Sequence, residues 1–180
     1  MKTHTFARLA LLCALLLAGG ALYGPGSVYA AASDEPAAAV ADLPQEARAK
    51  LAELERKLKE ARKAGNRYGE GAALTDLGSL WNNLSRFDRA RNYYRQALAI
   101  DREIKDRAGE AADLGNLGSV YDALAQYDLA LQHHRQALEI HRAIDNRNGE
   151  AADLSNLGIV HSALAQYDLA LQHHRQALEI

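Results

Sequence analysis

The chain has 180 residues, 48% apolar and 24% charged, with a net charge of −2 and one cysteine. That balance suits a globular protein of about one ordinary domain. It lacks the basic surplus of a nucleic-acid binder, and one cysteine excludes a disulfide framework or a thiolate metal site.

The first segment reads as a targeting signal. Lys2 and Arg8 precede an apolar run over residues 9–22, broken by Gly19 and Gly20, and small residues follow at Ala30, Ala31 and Ala32. This is the three-part plan of a secretory leader, and the run is shorter than the ~20 residues a spanning helix needs. Residues 1–30 are therefore expected to be a cleaved signal peptide, giving an exported, periplasmic or secreted protein of bacterial type without a membrane anchor. Cys13 lies inside the leader, and Leu12 before it is too large for a lipoprotein cut. Loss of Lys2 and Arg8 leaves 19 basic against 23 acidic residues, an acidic mature chain.

Residues 31–43 form an Ala-rich lead-in. Pro44 then opens "QEARAKLAELERKLKEARKA", a stretch of strong helix formers with Leu51, Leu54 and Leu58 on one side. Its close, "ARKAGNRYGE", resembles "HRAIDNRNGE" further on, so residues 44–68 read as a capping helix, the second half of a degenerate repeat. From there the chain repeats every 40 residues: 69–108, 109–148 and 149–180. Such a period marks stacked supersecondary units. Each unit holds two helical stretches separated by "LSRFD" or "LAQYD", and Gly69, Gly109 and Gly149 read as the stops between units. No proline follows Pro44 and β-branched runs are missing, which argues against strands.

Within each unit the spacing is specific. Leu114, Leu117, Gly118 and Tyr121 are followed by Ala130, His134 and Ala137; the preceding unit has Leu74, Leu77, Gly78 and Trp81, then Ala90, Tyr94 and Ala97. The last has Leu154, Leu157, Gly158 and His161, then Ala170, His174 and Ala177. This order resembles the tetratricopeptide repeat. The resemblance implies an all-α fold, a right-handed α-solenoid of helix–turn–helix units, whose first helices line a concave groove for a protein or peptide ligand. Two departures stand out: the family's closing proline is missing, and the unit is longer than the common form. The longer unit is similar to that of kinesin light chains and of many bacterial regulatory arrays.

The second and third units copy each other over residues 109–140 and 149–180 except at Gly115/Ser155, Ser119/Ile159, Tyr121/His161 and Asp122/Ser162. On a helical wheel, Gly115, Ser119 and Asp122 fall on one stripe, away from Leu114, Leu117, Tyr121 and Leu124. The equivalent stripe is Thr75, Ser79 and Asn82 in the first unit and Ser155, Ile159 and Ser162 in the last. The copies thus differ where a groove ligand would touch, or where an exposed surface drifts freely. His161 is expected to fill space. By the family resemblance, Asn116 and Asn156 are candidate contacts to a peptide backbone, for which a side-chain amide supplies donor and acceptor. Asp76 holds that position in the first unit and, when ionised, only accepts.

No catalytic constellation emerges. His133–His134 and His173–His174 invite a metal reading, but adjacent helical side chains diverge by about 100° and cannot close on one ion. His134 is expected to pack and His133 to be exposed. No phosphate loop, zinc-protease motif or nucleophile elbow is present, so no cofactor, metal or enzyme activity is expected. Ile180 matches Ile140, after which the earlier unit continues, so the sequence stops inside a helix. Two expectations follow: self-association through that uncapped helix, or a longer protein in which these repeats are the recognition arm of a secreted enzyme or signalling protein, for example a CHAT-type peptidase.

Overall fold

A computed structural model describes residue 40 and residues 42–180 of the chain. The leader expected over residues 1–30, Cys13 within it and most of the lead-in lie outside the described residues. From Pro44 onward the described residues form one compact unit of seven helices. These are α1 (Gln45–Lys63), α2 (Arg67–Asn83), α3 (Phe87–Ile104), α4 (Arg107–Ala123), α5 (Tyr127–Ala143), α6 (Arg147–Ala163) and α7 (Tyr167–Leu178). No strand occurs among them, and no helix is long and apolar enough to cross a membrane. Each helix packs on its neighbours in sequence, most closely within the pairs α2–α3, α4–α5 and α6–α7. The architecture is an all-α solenoid.

The first helix of each pair starts on a polar cap. Asn66, Asp106 and Asn146 accept from the backbone N–H of Gly69, Gly109 and Gly149 at 2.9, 2.9 and 3.0 Å. Each cap satisfies an amide that the helix start would otherwise leave without a partner. This corrects the sequence reading of those glycines, which lie in the first helical turn and not at a stop. The reversals fall instead at Gly65, Lys105 and Asp145 between pairs, and at Ser85, Ala125 and Ala165 within them, all left-handed with φ between 54° and 64°. Gly109 and Gly149 are needed for another reason: a Cβ would lie 2.7 Å from the Asp101 carboxylate at Gly109, and 2.5 Å from the His141 ring at Gly149.

The core follows the wheel. Leu74, Leu77 and Trp81 of α2, Leu114, Leu117 and Tyr121 of α4, and Leu154 and Leu157 of α6 are buried, as are Ala90, Ala97, Ala130 and Ala137 on the second helices. At Gly118 the His134 ring occupies the space a side chain would fill, its Cε1 2.6 Å from an ideal Cβ; Tyr94 does the same over Gly78. A repeated ion pair joins successive pairs. Arg62 reaches Glu70, Arg102 reaches Glu110 and Arg142 reaches Glu150, each at 2.8 Å, and Arg67 and Arg107 reinforce the first two from within the same helix.

Candidate interaction groove

The first helices of successive pairs touch, α2 on α4 and α4 on α6, while the second helices contact chiefly their sequence neighbours. α2, α4 and α6 thus form one continuous layer of first helices, the candidate wall. The stripe residues lie on this layer. Ser119, Ile159 and Ser162 are exposed; Thr75, Ser79, Asn82, Gly115, Asp122 and Ser155 are half-buried. Asn116 and Asn156 are half-buried beside them, and Asp76 is exposed. Ile159 stands 51% exposed, an apolar side chain on an otherwise polar wall.

The three rungs are not equally free. In α2, Thr75 Oγ1 donates to Asp113 Oδ1 at 2.9 Å and contacts the Gly71 carbonyl at 3.3 Å. Ser79 Oγ donates to the Thr75 carbonyl at 3.0 Å and accepts from the Tyr94 hydroxyl at 3.1 Å. Both hydroxyls are committed to the scaffold. In α4, Ser119 Oγ bonds the Gly115 carbonyl at 3.1 Å but stays exposed. The Asn116 amide lies close enough to Asp113 to favour that carboxyl's charged form. Burial pushes Asp122 above the ordinary aspartate range. In α6, Ser155, Asn156 and Ser162 make no side-chain hydrogen bond among the described residues, so this rung offers its polar groups most openly.

The fourth difference between the copies belongs to the core. Tyr121 is buried, stacks on His133 with ring centroids 5.1 Å apart, and its hydroxyl accepts from Arg95 of α3 at 2.6 Å. His161 is equally buried and stacks on His173 at 5.3 Å, but its Nδ1 pairs with Gln166 Oε1 at 2.7 Å in the following turn. The exchange replaces a bond between pairs with one inside a pair. His133 is accordingly half-buried against Tyr121, not exposed as its position suggested. His134 is buried over Gly118; burial, and next the neighbouring His133, lower its pKa to about 4, so the ring packs uncharged.

Sequence reasoning passed over the polar groups behind the wall. Asp113 and Asp153 are fully or almost fully buried, and His141 Nδ1 lies 2.7 Å from Asp153 Oδ2. The available signal was the wheel: Asp113 shares its face with Leu117 and Val120, both buried, where the first unit has Ala73.

The tetratricopeptide repeat family model matches residues 69–143 and 110–180. Among solved structures, the crystal structure of BtubC (BKLC) from P. vanneervenii is similar, with a TM-score of 0.65 and 21% identity, over 76% of this chain and 57% of that one. The chain therefore spans somewhat more than half of that protein's length, and the likeness is one of fold. No curated protein matches the chain.

Proposed function

This chain belongs to the tetratricopeptide repeat family, and we propose that it works as an exported interaction scaffold without chemistry of its own. It holds a peptide segment or protein partner against α2, α4 and α6. One observation carries this reading: of the four positions at which the second and third units differ, three lie together on the outward face of the first-helix layer, and the fourth is a buried exchange. The copies otherwise agree, Asn116 and Asn156 included. Asn116 and Asn156 are the proposed contacts to the ligand's backbone, flanked by Ser119 and Asp122 in one rung and by Ser155, Ile159 and Ser162 in the next. Thr75, Asp76, Ser79 and Asn82 complete the wall, with Thr75 and Ser79 acting through the scaffold. Export rests on the leader-like residues 1–30.

A random-peptide phage library panned against the protein tests the assignment. Replacing Asn116 and Asn156 together with Ala is expected to weaken the selected peptides by about tenfold, from two lost hydrogen bonds of about 0.5–1.5 kcal/mol each. Helicity by circular dichroism should not change. Unaltered affinity in a folded double variant removes both asparagines from the site.

A second reading rests on α7. Leu171 and Leu178 are 50% and 87% exposed, whereas Leu131 and Leu138, in the same sequence on α5, are 8% and 7% exposed under α6. This bare apolar face is proposed to bind a second copy of the chain. The competing arrangement is the recognition arm of a larger exported enzyme, in which following residues cover the face. Sedimentation of the 180-residue chain and the intact mass of the native protein separate the two: a dimer at the short mass supports self-association, and a much larger mass supports the arm.

A further inference from the structure

Successive pairs are joined by equivalent junctions, and two sequence positions distinguish them: both differ between the first junction and the second, and one differs between the second and the third. Where α1 meets α2 they are Ala61 and Ala73; where α3 meets α4, Asp101 and Asp113; where α5 meets α6, His141 and Asp153. Asp113 is 0% exposed and Asp101 is buried beside it. Oδ1 of Asp113 accepts from Thr75, while Oδ2 is buried with no hydrogen-bond donor among the described residues. Asp101 and Asp113 occupy the positions at which His141 and Asp153 meet at 2.7 Å in the next junction, and each carboxyl shifts the titration of the other. Room for Asp101 is made by two glycines, since a Cβ at Gly71 would lie 3.1 Å from its Oδ1 and one at Gly109 2.7 Å from its Oδ2. Two ionised carboxylates cannot share a buried site, whereas a single proton turns their repulsion into a hydrogen bond. At the next junction the second acid is replaced by His141, whose Nδ1 lies 2.7 Å from Asp153 Oδ2, where a ring tautomer with the proton on Nδ1 donates to the carboxylate.

We propose that Asp101 and Asp113 form a one-proton latch between α3 and α4: the shared proton ties the first two units together, and its loss in mildly alkaline solution loosens that junction while the His141–Asp153 junction holds. The surroundings favour keeping the proton. Burial raises Asp113 to about 8, against the opposing bond from Thr75 and with the charge of Asp101 adding to the rise. Burial and the charge of Asp106 raise Asp101 to about 6, and Glu110 contributes in the same direction. The other groups facing the pair are Tyr94 of α3 and Asn116 of α4; Glu110 is itself held by Arg102 and Arg107. From α6, Asp153 lies one rung further on, against Gly115; burial raises its carboxyl above the ordinary range, against the opposing bond from His141.

The sign follows from linkage. Both acids titrate above the ordinary 3.8 in the folded chain, so their stabilisation is fully present below that value; release of the first proton near 6 leaves the single shared proton, and the latch is lost as pH rises through about 8. Where the folded form holds one proton more than the open form, opening grows by up to about tenfold per pH unit.

Amide hydrogen exchange on the full chain from about pH 6 to about pH 9, corrected for the intrinsic base catalysis of exchange, tests this. Opening at the α3–α4 junction is expected to grow several-fold per pH unit relative to the α5–α6 junction. Asp113→Asn, a neutral isostere with its own N–H, should abolish the difference and melt above the parent chain at alkaline pH. Asp101→His, which brings in the α5–α6 junction's donor, should do the same and serves if the first variant misfolds. Equal pH dependence at both junctions of the parent chain would overturn the latch. So would carboxyl ¹³C titration showing both acids ionised at about pH 6.

Discussion

A methyl group at Gly118 would lie 2.6 Å from Cε1 and 2.7 Å from Nε2 of His134, a ring with no room to retreat because it is itself buried. Gly118→Ala is therefore expected to destabilise the chain by about 1–3 kcal/mol, although alanine is the better helix former by about 1 kcal/mol. Urea denaturation measures it, and a gain in stability would contradict the packing. The opposite sign is expected at Ala125, which turns the chain at φ 55°. A non-glycine residue pays for that left-handed geometry, so Ala125→Gly should stabilise by about 0.5–1 kcal/mol despite the extra freedom glycine gains in the unfolded chain. The glycine positions were not equally legible in the sequence. Gly118 declared itself through the recurring Leu–Gly spacing, but Gly109 serves the Asp101 carboxyl, which comes from a different helix. No local pattern announces a contact of that kind.

The helices themselves were the most legible feature, because leucine and alanine spacing fixes a face whatever that face meets. Their ends were less so. Asp106, Asn66 and Asn146 cap α4, α2 and α6, yet each sits in a polar linker that reads as a generic turn. Asp106→Ala should cost about 1 kcal/mol and speed amide exchange at the start of α4; no change in either would assign the cap no role. What a helix meets is also invisible locally, as α5 and α7 demonstrate. They share the sequence "YDLALQHHRQAL", yet Leu138 is buried under the next helix and Leu178 is exposed. Burial here is a property of the stack and not of the segment. The same limit explains the misreading of His133, which depends on Tyr121 of the preceding helix for its stacking partner.

In the whole molecule, contacts run between neighbours along the stack, so each junction contributes a separate term to the stability of the array. The groove wall and the junctions are nevertheless connected at Thr75, which lies on the wall and bonds the buried Asp113 of the next helix. The stripe was legible as differences between copies, since three of the four positions fall on one side of a wheel. Which of its hydroxyls stay unengaged was not, because Thr75 bonds Asp113 and Ser79 bonds Tyr94, partners on other helices, while Ser155 and Ser162 make no such bond among the described residues. The most direct test of the scaffold account is a footprint of a library-selected peptide on the folded chain, read as backbone amide shifts by NMR. The account predicts that the largest shifts cluster at Ser119, Asn116, Asn156 and Ile159, with α3 and α5 little affected. Shifts centred instead on the second helices, or on the bare leucines of α7, would contradict it.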